Sequence, residues 1–201
     1  MPVYADLYDI RYSLKTLDVD FAVHIAHRRK QMRADLDDLI VGLGFTDFFT
    51  GDGIRKFTAS GYEVEFIAHR PGNSGANSIA VKEWNVSALP LPFIDMLVDF
   101  SEEAVLGDFS IRFPIPEAFF LHKLIVSYRR LTDAKRIKDL EQCRVLAEIV
   151  RDDRLRHVAN SRRFSKATCG HIRTAARVIQ HFPHRKAVCR SDFFSSSVEC
   201  A

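Results

Sequence analysis

The chain has 201 residues, 47% of them hydrophobic and 27% charged, with a formal net charge of +3. That suits one ordinary domain with a sizeable core and room for a helical appendage. No stretch approaches the ~20 apolar residues of a membrane span. The first thirty residues carry Asp6, Asp9, Asp18 and Asp20 and no apolar signal-peptide core, so neither a signal peptide nor a membrane contact is expected, and a cytoplasmic location is. Cys143, Cys169, Cys189 and Cys200 form no C-x-x-C pair and read as free thiols. The small net charge hides an asymmetry: residues 151–190 hold 11 Lys and Arg against only Asp152 and Asp153.

Residues 16–25 predict the first strand. Residues 29–41 predict a helix, with Met32, Leu36, Leu39 and Ile40 at helical spacing and Gly42 and Gly44 at its end. Phe45–Thr50, Ile54–Ala59 and Tyr62–Ala68 follow as three short strands, separated by turns at Gly51-Asp52-Gly53 and Ser60-Gly61, which is the pattern of an antiparallel meander. Residues 69–78 are a loop by composition, and Ile79–Val81 a short strand. Phe93–Phe100 predicts a short helix after Pro90 and Pro92. Glu103–Leu106 and Phe109–Phe113 predict a hairpin around Gly107-Asp108. Pro116 opens a long helical region, suiting proline at a first turn. Ala118, Leu121, Leu124 and Ile125 form one apolar face, and Ile137, Leu140, Val145, Leu146 and Ile149 another. From about Arg151 the pattern weakens, with a last helix over 171–181 and a disordered tail over 191–201. The predicted class is α+β: a mixed sheet with packed helices over 1–115, followed by a helical C-terminal region over 116–190.

Two segments carry the chemistry. In Leu17-Asp18-Val19-Asp20-Phe21, alternation sends the apolar residues one way and Asp18 and Asp20 the other. Neighbouring carboxylates repel unless a cation lies between them, and their oxygens are the ligands Mg²⁺ prefers. A solvated acidic face fits the same pattern. Tyr62-Glu63-Val64-Glu65-Phe66 repeats it, so if the two strands are neighbours, Asp18, Asp20 and Glu65 (or Glu63) converge. Such a trio can hold two metal ions for in-line nucleotidyl transfer. Farther on, Lys123, Ser127 and Arg130 fall at helical intervals, and Lys138-Asp139 is expected to open the next helix. Their cations suit nucleotide phosphates, and amphipathic helices with solvated charges fit equally.

The ordered set resembles the nucleotidyltransferase-fold superfamily of DNA polymerase β. The resemblance is nearest to its small bacterial members, which include toxin nucleotidyltransferases of abortive-infection, toxin–antitoxin type. It runs over roughly residues 16–150. It implies that Asp18 and Asp20 are the paired metal ligands and Glu65 the third carboxylate. It also implies that Lys123, Arg130, Lys138 and Asp139 bind nucleotide, and that the cofactor is Mg²⁺ or Mn²⁺. The implied reaction moves a nucleoside monophosphate from an NTP to a hydroxyl of a protein, RNA or small molecule. The family places a Gly-Gly or Gly-Ser turn upstream of D-x-D, whereas no glycine occurs among the seventeen residues before Asp18. That departure supports an alternative, a catalytically impaired member that binds nucleotides or a partner.

Weaker signals surround these. The basic excess over 151–190 suits contact with a nucleic-acid backbone, though aromatic side chains for base stacking are sparse there. Cys169, His171, His181, His184 and Cys189 have no standard zinc-finger spacing. His24, His27, His69 and His122 read as structural or solvated. Neither Ser127 nor Cys143 has a recognisable base arranged around it.

Overall fold

Alternation of apolar and polar residues builds the strands here, and positive-φ residues turn them. In the computed structural model the described residues are 1–11, 17–23, 35–51, 53–70 and 77–180. In chain order the elements are α1 (Pro2–Tyr8), β1 (Asp18–Val23), α2 (Leu36–Gly42), β2 (Thr46–Phe49), β3 (Arg55–Ala59), β4 (Tyr62–His69), β5 (Ile79–Val81), β6 (Val86–Leu91) and α3 (Ile94–Asp99). The hairpin β7 (Ser101–Leu106) and β8 (Phe109–Pro114) follows, then α4 (Pro116–Ser127), α5 (Asp133–Leu146), α6 (Asp152–Asn160) and α7 (Lys166–Gln180). The class is α+β. Two compact units form, one within Leu14–Val98 and the other within Met1–Ser13 and Asp99–Ala201.

The first unit is a mixed sheet. β2, β3 and β4 make the expected antiparallel meander. Ala59 pairs with Tyr62 across a two-residue loop in which Ser60 (φ 51°) and Gly61 (φ 83°) are both left-handed. Two positive-φ residues match the twist of the flanking strands, and glycine takes one of them without strain. β4 also pairs in parallel with β1 and with β6, and β5 runs antiparallel to β6. Val23, Phe57, Val64, Phe66, Ala68, Val81, Val86 and Ala88 form the core on one face, with Leu36 and Ile40 of α2 packed against it. Phe57 meets Phe66 edge-on at 6.3 Å, and Phe21 stacks on Phe66 at 5.9 Å. Arg55 ties α2 to the sheet, reaching Asp37 at 2.7 Å and Asp47 at 2.9 Å.

Strand β6 is an element that the sequence pattern did not announce. Proline lacks a ladder donor, so Pro90 argues against a strand. β5 pairs only with Val86, Ser87 and Ala88, however, so Pro90 lies beyond that partner and no donor is required of it there.

In the second unit α4 is apolar around most of its circumference, the pattern of a helix buried on all sides. Phe120, Leu121, Leu124 and Ile125 are fully buried, as are Leu146 of α5, Leu155 of α6 and Ile172 of α7. Tyr4 of α1 donates to the Pro114 carbonyl at 2.6 Å and packs against Phe113 and Phe119. Tyr8 donates to Glu102 at 2.8 Å, and burial followed by that bond pushes its pKa up to about 12.

Several expectations need correction in this unit. α1 and α6 are helices that the pattern did not announce. α7 begins at Lys166, five residues earlier than expected, because Ser165 caps it: the Thr168 amide donates to Ser165 Oγ at 3.2 Å. Lys138 and Asp139 lie in the second turn of α5 rather than at its start. Ser127 is fully buried, its hydroxyl folded back onto the Leu124 carbonyl at 2.9 Å, so it is no part of a solvent-facing polar face. Cys143 is a buried free thiol. Ser13, the ends of the strand over 16–25, the start of the helix over 29–41, His24, His27, Asp52 and most of the 69–78 loop lie outside the described residues. So do His181, His184, Cys189, Cys200 and the 191–201 tail.

Candidate functional site

The acidic face of the sheet is built by register. β1 and β4 are parallel, with Asp18 opposite Glu63 and Asp20 opposite Glu65, and the Glu63 amide donates to the Leu17 carbonyl at 2.9 Å. Residues paired across parallel strands project to the same face. The core therefore takes Val64 and Phe66, and the opposite face receives Asp18, Asp20, Glu63 and Glu65 together. The condition set by the sequence reading is met: the two strands are adjacent, with Asp20 and Glu65 side by side.

The face also contains a cation that sequence reading missed. Lys56 of β3 precedes the buried Phe57, so alternation turns it to the acidic side. Its ammonium lies 3.2 Å from Glu65 and 3.3 Å from Glu63. Burial lowers the Lys56 pKa, but the charge and hydrogen bond of Glu65, followed by those of Glu63, outweigh it and hold the pKa above its usual value. The one signal available was the β3–β4 turn, which fixes which side of β3 faces the glutamates.

Among the described residues, no three Asp, Glu, His or Cys side chains converge closely enough to hold a metal ion. The donor chemistry of the face nevertheless fits Mg²⁺ or Mn²⁺: its ligands are hard carboxylate oxygens, and Lys56 shows that it accepts a positive charge.

The second predicted group lies in the helical unit. Asp139 is 2% exposed. Lys123 of α4 donates to it at 2.9 Å, and Arg130, just past the end of α4, at 2.6 Å. Burial pushes the Asp139 pKa up, but the hydrogen bond from Arg130 and the charge and hydrogen bond of Lys123 outweigh it and hold it below the ordinary value. The ammonium of Lys123 also lies 5.1 Å from the centre of the Phe119 ring. Asp139 thus fixes two cations whose own side chains reach solvent, at 16% exposure for Lys123 and 36% for Arg130. Lys138, next along α5, is half-buried.

His69 lies 3.0 Å from Asp95, and His122 is buried in α4. His171 stacks on Tyr128 at 5.4 Å. Among the described residues no helix is long and apolar enough to cross a membrane.

No curated protein matches the chain. One similar solved structure is described as an antigenic nucleotidyltransferase-like protein from Paracoccidioides brasiliensis. It is 16% identical, with 92% of this chain and 77% of that one covered and a TM-score of 0.48. The family model described as "Nucleotidyltransferase" matches residues 1–164, most of the chain and all of both side-chain groups above. The chain belongs to that nucleotidyltransferase family.

Proposed function

We propose that the chain is a metal-dependent nucleotidyltransferase that moves a nucleoside monophosphate from an NTP to a hydroxyl acceptor and releases pyrophosphate. Asp18, Asp20 and Glu65 would hold Mg²⁺ or Mn²⁺. When bound, the ions would neutralise triphosphate charge and favour the attacking hydroxyl. Lys123, Arg130 and Lys138 would bind nucleotide phosphates, and a guanidinium is well shaped for that contact. Asp139 would act only through the two cations it holds. Family membership and order along the chain join the two groups in this assignment. The single observation that carries it is the parallel register setting Asp20 beside Glu65 in a chain of this family.

The test is labelling of acceptors in a lysate with α-labelled NTP, with Mg²⁺ or Mn²⁺ and with chelator. Metal-dependent labelling that Asp20→Asn lowers by about 100-fold or more is expected, beyond what loss of an outer partner of a ligand costs. Labelling unaffected by Asp20→Asn would remove the site assignment. Calorimetric NTP binding with no labelling under any condition would favour a member that binds nucleotide without turnover.

A further inference from the structure

The acidic face is assembled with its own cation in place. Asp18, Asp20, Glu63 and Glu65 share one side of two adjacent strands, and like charges so arranged repel unless neutralised. Lys56 neutralises the two glutamates of that face from the third strand. Its ammonium contacts both glutamates, with the Lys56 side chain 23% exposed and that of Glu65 18% exposed. The position is fixed from both sides: Phe57 is locked in the core, and the Ser60-Gly61 loop sets the register that brings β3 beside Glu63. An ammonium 3.2 Å from one Glu65 oxygen competes with a metal for that carboxylate.

We infer that Lys56 is a positioning residue of the metal site, an internal counter-ion that holds Glu65 while no metal is bound and must release it before it can serve as a ligand. This rests on the metal-dependent reading above. Lys56 then trades metal affinity for stability of the metal-free sheet. Removing its charge strips one competitor from Glu65 and takes the ammonium away from Glu63 and Glu65 until a divalent ion arrives.

The test measures Mn²⁺ binding by calorimetry and thermal denaturation with and without Mn²⁺, using the full chain as wild type, Lys56→Met and Lys56→Gln. Lys56→Gln keeps a hydrogen-bonding side chain and serves if Lys56→Met does not fold. In the neutral variants Mn²⁺ should bind about tenfold more tightly, which is about 1.4 kcal/mol. Their metal-free midpoint should fall, and saturating Mn²⁺ should recover most of the loss. Affinity equal to or weaker than wild type in a folded neutral variant overturns the role of Lys56 and leaves the metal reading standing. Absence of Mn²⁺ binding in every protein rejects the metal reading, and the role of Lys56 with it.

Discussion

Replacing Asp139 by Asn removes one charge from the best-buried ionic cluster described and leaves its shape nearly unchanged. Two cations then lose the carboxylate they share. Arg130, at 36% exposure, can turn toward water; Lys123, at 16%, is less able to do so, though it retains the face of Phe119. Breaking a buried pair by deleting one partner costs about 3–5 kcal/mol. With Arg130 rehydrated, the lower end applies, about 3 kcal/mol. For a chain of this length each kcal/mol moves the midpoint by about 2–4 °C, so a fall of roughly 6–12 °C is expected. The pH dependence carries the sign. Because the folded state holds the Asp139 carboxyl below the ordinary carboxylate range, its contribution is fully present above that range and is lost as pH falls through the folded pKa. Urea denaturation of wild type and Asp139→Asn at pH 7 and at successively lower pH measures this directly. The gap between them should be full at pH 7 and close in acid. A gap that stays constant into acid, or no gap at pH 7, would refute this account of the cluster. In the labelling assay the same variant should raise the KM for NTP, since Lys123 and Arg130 lose the anchor that orients them.

Two further outcomes test the fold. Phe57→Ala empties a fully buried position against Phe66 and should cost about 3–5 kcal/mol in chemical denaturation; a loss under 1 kcal/mol would mean the sheet core is not packed around it. Ser165→Ala removes the cap of α7 and should cost about 1 kcal/mol, whereas Ser165→Asp should retain stability, and equal stability in all three proteins would show that the cap contributes nothing.

Much of the sheet was legible because its residues obey a period of two. β1 and β4 announced themselves by acid–apolar alternation, and the Ser60-Gly61 turn by its residues. β6 was not legible, since a proline in a strand is admissible only where its neighbour stops short, and that is a fact about β5 rather than about β6. α1 is short, and Tyr4 anchors it on Phe113 and Phe119, which are far away in sequence. α6 is short and highly charged, with Leu155, Val158 and Ala159 as its only buried residues, too few for periodicity to show. At the candidate site, the two aspartates and the pair Glu63 and Glu65 could be named from local pattern, and the family resemblance singled out Glu65. Lys56 could not, because its meaning comes from strand registry. The burial of Asp139 was hidden in the same way: Lys138-Asp139 looks like a solvated pair until α4 is laid beside α5.

The bond from Tyr4 to Pro114 joins residues 110 apart in sequence, and that separation has a temporal side. A helix of seven residues is marginal by itself in water. At synthesis rates of roughly 5–20 residues per second, α1 leaves the ribosome and waits about 5–20 s for β8 and α4 to follow. All the strands of the sheet unit are made during that wait. The sheet is therefore free to form on the growing chain, whereas the helical unit closes only when its earliest-made segment is gathered in after its latest strands and helices. Amino acid changes that weaken α1 docking should for that reason appear first as poor yield during synthesis, before any defect is visible in the finished protein.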